Sequence, residues 1–135
     1  MTDLQMFLLD NNVTELKKDI IVSDRLKDKP FTIKCISGTD MEAYQKQCIT
    51  NASNPKKRKI DTAKFNELII FNHCINPNFK DAEWLAQAGC PTDPRALLNK
   101  CLTAGEILKL SSEIQKLSGF GDEEQQELTE EVKNA

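Results

Sequence analysis

The chain has one histidine, His73, and it stands directly beside Cys74. A thiol and an imidazole could form a nucleophile–base pair if their side chains met. They lie in an apolar stretch that reads as a helix, where adjacent side chains point about 100° apart. His73 is therefore expected to be a core or rim histidine. Cysteines 35, 48, 90 and 101 are scattered, with no Cys-x-x-Cys pair and no metal-ligand spacing. Asp81 and Glu83 could act as acid and base, but carboxylates at a helix start are better explained as caps for free backbone N–H groups. The glycines at 38, 89, 105, 119 and 121 build no phosphate-cradling loop. The run Lys56-Lys57-Arg58-Lys59 could contact phosphates, yet it stands alone in a polar stretch without aromatics, as a solvated linker does. No enzyme activity, cofactor or metal is expected.

A chain of 135 residues suits one domain with a single modest core. Its net charge of −3 does not argue for nucleic acid, but the charge is uneven. Residues 1–60 carry 11 basic and 8 acidic side chains, and residues 61–135 carry 7 and 13. Six of those acids follow Gly121, against Lys133 alone. The N-terminus lacks the charge pattern of a secretory signal, and no window approaches the roughly 20 apolar residues of a membrane span. Five cysteines without an export signal suggest free thiols in a reducing cytoplasm.

Positioning falls to the stretch Asp61–Glu83. Asp61 starts a helix over Ala63–Cys74 that is apolar most of the way round, as a central core helix is. The chain then breaks at Asn76-Pro77-Asn78. Before it, Thr2 and Gln5 form a capping-box pattern for a short helix, whose Leu4, Phe7 and Leu8 are expected to face the core or, the segment being so short, to dock only on a partner. Residues 18–36 read as a β-hairpin built from Asp19–Val22 and Phe31–Ile36. In the second strand Phe31, Ile33 and Cys35 point one way and Thr32, Lys34 and Ile36 the other, with Pro30 fitting an edge strand. Thr39 with Glu42 predicts a helix to about Ile49. After the break, Asn78 or Asp81 caps a short helix ending near Gly89, and Asp93-Pro94 starts another. Thr103 with Glu106 opens a helix along Ile107, Leu110, Ile114 and Leu117, closed by Gly119-Phe120. Residues 121–135 have almost nothing to bury and read as a flexible acidic tail. The expected fold is mainly α (α+β): a small bundle of about five helices with an N-terminal β-hairpin, spanning residues 1–120, followed by that tail.

Ile75–Glu83, then Leu102-Thr103-Ala104-Gly105-Glu106 and Leu117-Ser118-Gly119-Phe120, resemble the XkdN-like family of phage tail assembly chaperones. The resemblance runs from about Phe7 to Phe120, and Pro77–Glu83 is its most specific part. It includes Lys29–Lys34, Thr39–Glu42 and Asp61–Phe71 in the family's order. Thr103-Ala104-Gly105-Glu106 stands where a Leu-Pro-Gly-Glu-like start is expected, and Gly89-Cys90-Pro91 is this chain's own small-residue turn.

The resemblance implies a protein of the bacterial host's cytoplasm that binds the tail tape measure protein, keeps it soluble, and helps tail-tube subunits assemble around it. It implies absence from the mature virion, and a frameshifted longer form that recruits tube subunits, diverging in the acidic tail. Such a chaperone needs an apolar surface for amphipathic helices and no catalytic group. The residues expected to supply that surface are Phe79, Trp84 and Leu85, with Phe7 and Leu8 at the N-terminus. A small phage-derived nucleic-acid-associated regulator using residues 56–59 is the alternative.

Overall fold

The computed structural model describes residues 1–50 and 53–134. It is 57% helical, with seven α-helices and a small antiparallel sheet. Two of the loop residues expected after the second helix, Asn51 and Ala52, and Ala135 of the expected tail lie outside the described residues.

The central helix is α3, Thr62–His73. The Asp61 side chain accepts from the Lys64 N–H, as its place before the apolar run predicts. Phe65, Ile69, Ile70 and His73 are buried, and Leu68 and Phe71 are half-buried. α3 packs against α2 (Gly38–Cys48), which contributes Met41, Tyr44 and Cys48, and against α6 (Ala104–Leu117), which contributes Leu110 and Ile114. Leu97 and Leu98 of α5, Pro94–Cys101, join the same core.

The hairpin is present, with shifted boundaries. β1 (Lys17–Ile20) pairs antiparallel with β2 (Phe31–Lys34), in a register that sets Lys17 opposite Lys34 and Ile20 opposite Phe31. Phe31, Ile33 and Cys35 face inward as expected. Ile36, expected outward, is buried, because the strand ends at Lys34 and the alternation ends with it. The placement of Pro30 on an edge strand is also corrected. β2 is the middle strand, since β5 (Cys74–Asn76) pairs on its other side. Pro30 precedes β2, so its missing N–H interrupts no ladder bond. A second, two-stranded ladder joins β3 (Ile49–Thr50) to β4 (Lys59–Ile60) and closes the basic loop.

Several caps match local chemistry. Thr103 and Glu106 form a complete capping box, and Asp93 accepts from the Ala96 N–H ahead of Pro94. Asp81 caps α4, Ala82–Gln87. Gly119, at φ +98°, lets the Phe120 N–H reach the Gln115 carbonyl and its own N–H reach Lys116, a Schellman closure. One cap differs: α2 starts from Ser37, whose hydroxyl accepts from the Asp40 N–H, two residues before the expected Thr39.

The ends of the chain depart most from expectation. The segment expected to be an unpacked acidic tail forms α7, Asp122–Asn134. Its Leu128 is buried in the core, and Asp122, Glu123 and Glu124 occupy its first turn, where the helix dipole favours negative charge. α1 (Asp3–Asp10) has its capping box, but no residue of it is buried.

Candidate partner-binding surface

α1 is a formed helix without a core. The Thr2 hydroxyl accepts from the Gln5 N–H, the Gln5 side chain returns to the Thr2 N–H, and the Asn11 side chain donates to the Phe7 carbonyl. Leu4, Phe7 and Leu8 share one side at helical spacing, and Met6 and Leu9 lie on the other. Their exposures are 65%, 61% and 61%, then 50% and 71%. Val13 and Leu16 in the connection to β1 are exposed as well. Of the two placements expected for Leu4, Phe7 and Leu8, the one against this chain's own core is therefore overturned among the described residues. A helix apolar on most sides normally lies between neighbours, and eight residues are too few for stability alone. Contiguous exposed apolar surface of this kind marks interaction sites on soluble proteins.

The other three expected residues lie together, mostly inside. Phe79 is 1% exposed and Leu85 5%, both in the core. Trp84 is half-buried, its ring tilted over Phe79 with centroids 5.1 Å apart. Of this group, Trp84 is the most exposed, with its ring against Phe79.

Sequence reasoning missed a second apolar feature. A groove of about 260 Å³ runs between α3, α5 and α6, lined by Ala63, Leu98, Ala104, Ile107 and Leu108 with Asn66, Glu67 and Asn99. Leu108, 59% exposed, lies off the inward stripe of α6 that the periodicity picks out, so it carried no signal for a core-oriented search.

The motif residues turn out to organise the fold. Glu106 ties α6 to the β1–β2 connection: Arg25 Nε donates to its carboxylate at 2.8 Å, Ser23 Oγ also donates to it, and the second Arg25 nitrogen bonds both Glu106 and the Cys101 carbonyl. Ser118 Oγ accepts from the Ile36 N–H and donates to the Ile114 carbonyl, both at 2.8 Å, joining the end of α6 to the segment after β2. Asn78 Oδ1 accepts from the Lys80 N–H, turning the chain into α4.

His73 is 2% exposed, and its Nε2 meets the Tyr44 hydroxyl at 2.7 Å. Its Nδ1 has no partner at normal hydrogen-bond geometry, although the Cys35 backbone lies close enough to favour the charged ring. Burial lowers the His73 pKa from 6.5, and Lys34 and Lys80 lower it further against the opposing pull of Asp40. Burial pushes the Cys74 thiol up to about 12, so the neighbour of His73 is a protonated thiol rather than a nucleophilic thiolate. Among the described residues no group of three or more His, Cys, Asp or Glu is placed to hold a metal ion. Among the described residues no helix is long and apolar enough to cross a membrane. Lys56, Lys57 and Lys59 are exposed and Arg58 is half-buried.

The depressed His73 pKa has a sign. The unfolded chain binds a proton at His73 near pH 6.5 and the folded chain only at lower pH, so stability is lost as pH falls through that window. Urea midpoints measured at pH 7.5 and 5.5 should drop on acidification in the wild type and drop less in His73→Gln. An equal drop in both proteins would assign the effect elsewhere.

The comparisons with known proteins follow the same lines. Residues 4–133 match the model of the phage XkdN-like tail assembly chaperone protein family. The crystal structure of the protein YqbN is similar in fold, with a TM-score of 0.65 at 21% identity, covering 90% of this chain and 99% of that one. No curated protein matches the chain. With nearly its whole length inside the family's pattern, from α1 through α7, the chain belongs to the XkdN-like phage tail assembly chaperones.

Proposed function

We propose that this chaperone binds the tail tape measure protein in the cytoplasm of the infected or lysogenic bacterium. It holds that long helical chain soluble while tail-tube subunits gather, and it does not remain in the finished virion. A longer, frameshifted form of the chain, extended from the region of α7, would recruit the tube subunits. The observation that carries this reading is α1, whose five apolar side chains are all at least half-exposed on a helix capped at both ends. Such a helix can lie against the apolar stripe of another, each supplying the neighbour that the other lacks. Trp84 is the second proposed contact, seated on Phe79 and Leu85.

Co-expression with a tape measure protein tests this. Wild-type chain should bring an otherwise insoluble tape measure protein into the supernatant. Phe7→Asp with Leu8→Asp should abolish the rescue while changing the chain's own stability by no more than about 0.5 kcal/mol, since neither side chain is buried. Full rescue by the double variant would remove α1 from the interface.

A further inference from the structure

The turn that carries Phe79 into the core also helps build a cavity of about 240 Å³, where β2, the end of α3, β5 and residues 78–80 meet. Phe71 and Ile75 supply apolar wall, and Lys34, Asn72, Asn78 and Lys80 supply the polar groups. Both asparagine side-chain oxygens already accept a hydrogen bond. Asn72 Oδ1 accepts from Lys80 Nζ, and Asn78 Oδ1 accepts from the Lys80 backbone N–H, each at 3.0 Å. The donors are in surplus. Among the described residues the Lys34 ammonium has no hydrogen-bond or ion-pair partner, Lys80 keeps two N–H bonds after reaching Asn72, and the Asn78 amide nitrogen is unused. No carboxylate lines the space.

We propose that this cavity is a binding site for a carboxylate borne by another protein segment, seated between Lys34 and Lys80 with its aliphatic stem on Phe71 and Ile75. Two ammonium groups that have no ion-pair partner among the described residues attract an anion. The apolar wall suits the methylenes of an acidic side chain or the last residue of a free C-terminus. Inorganic phosphate has no apolar part to set against Phe71 and Ile75, which favours a carboxylate on an aliphatic stem.

The buried His73 is a built-in reporter. Around it stand Lys34 and the Cys35 backbone from the β2 side, Asp40 and Tyr44 from α2, and Lys80 from the turn. A carboxylate between the two lysines cancels part of the field that disfavours the charged imidazole. As the chain's only histidine, His73 gives a single ring titration curve.

The test is an NMR titration of the ¹⁵N-labelled full chain with matched short helical peptides. One carries a single Glu and an amidated C-terminus, one carries Gln in its place, and one carries Gln with a free C-terminal carboxylate. Inorganic phosphate forms a fourth arm. A carboxylate peptide is expected to shift the Lys34, Ile75 and Lys80 amides and to move the His73 titration to higher pH. Lys34→Gln or Lys80→Gln should weaken that binding by roughly tenfold or more. Response to either carboxylate peptide, with the amidated Gln peptide silent, supports the site and identifies which carboxylate it takes. No response, an equal response to the amidated Gln peptide, or a response to phosphate as strong as to the Glu peptide overturns it. The peptides stand in for no particular protein, so failure here leaves the reading of α1 untouched.

Discussion

Replacing Phe79 with alanine is expected to destabilise the fold by roughly 3–5 kcal/mol, the usual range for emptying an aromatic site in a core. Phe79 is among the largest fully buried side chains. It anchors the turn between β5 and α4, a helix of six residues whose single buried side chain is Leu85. So short a helix depends on its tertiary contacts, and removing Phe79 leaves Trp84 above a void. Trp84→Ala should cost less, because Trp84 is half-buried and the ring pair itself contributes only about 0.5–1.5 kcal/mol beyond burial. Urea unfolding of both variants gives the comparison. If Phe79→Ala does not fold, Phe79→Leu, expected to lose roughly 1–2 kcal/mol, keeps the test open. A Phe79→Ala protein as stable as wild type would mean that this turn is not part of the core.

Glu106→Gln is expected to lose roughly 1.5–3 kcal/mol at neutral pH, the range for hydrogen bonds to a charged group. The carboxylate accepts from Arg25, Ser23 and the Thr103 N–H. Its side chain is 5% exposed, yet it lies near enough to the surface that these donors outweigh desolvation. The Arg25 hydrogen bond is the largest influence holding its pKa down to about 2, from an ordinary 4.5. A depressed carboxylate stabilises the fold fully above its unfolded value and loses that contribution as pH falls through the folded one. The gap between wild type and Glu106→Gln should therefore be widest above pH 4.5 and close toward pH 2. A gap independent of pH would point to packing rather than charge.

These two residues also explain what could be read from the sequence. Glu106 was visible as the third residue after a threonine cap, and Asp61, Asp93-Pro94 and Gly119 were visible in the same way. Capping depends on groups within four residues, which the sequence displays directly. The most specific stretch of the family resemblance, Pro77–Glu83, proves to be a turn, a core aromatic and a helix cap. Such residues report the fold more faithfully than the surface that a partner touches.

What was not legible depended on distant neighbours. β5 is three residues long and follows α3 without a break, too short to show a strand period, so from the sequence alone β2 reads as an edge. α7 has one buried leucine among the acidic residues of its first turns, a weak pattern until the face it covers is known. Leu4, Phe7 and Leu8 have the same helical spacing whether they meet a core or a partner. Only the fold shows that nothing among the described residues buries them.

Hydrogen–deuterium exchange of the chain, alone and in complex with a tape measure protein, tests the account at its centre. An exposed eight-residue helix opens readily, so the amides of residues 4–10 should exchange fast in the free chain. In the complex they should become strongly protected, with protection at Trp84 as the second site. Fast exchange persisting across α1 in a stable complex, with protection confined elsewhere, would contradict the assignment of α1 as the binding helix.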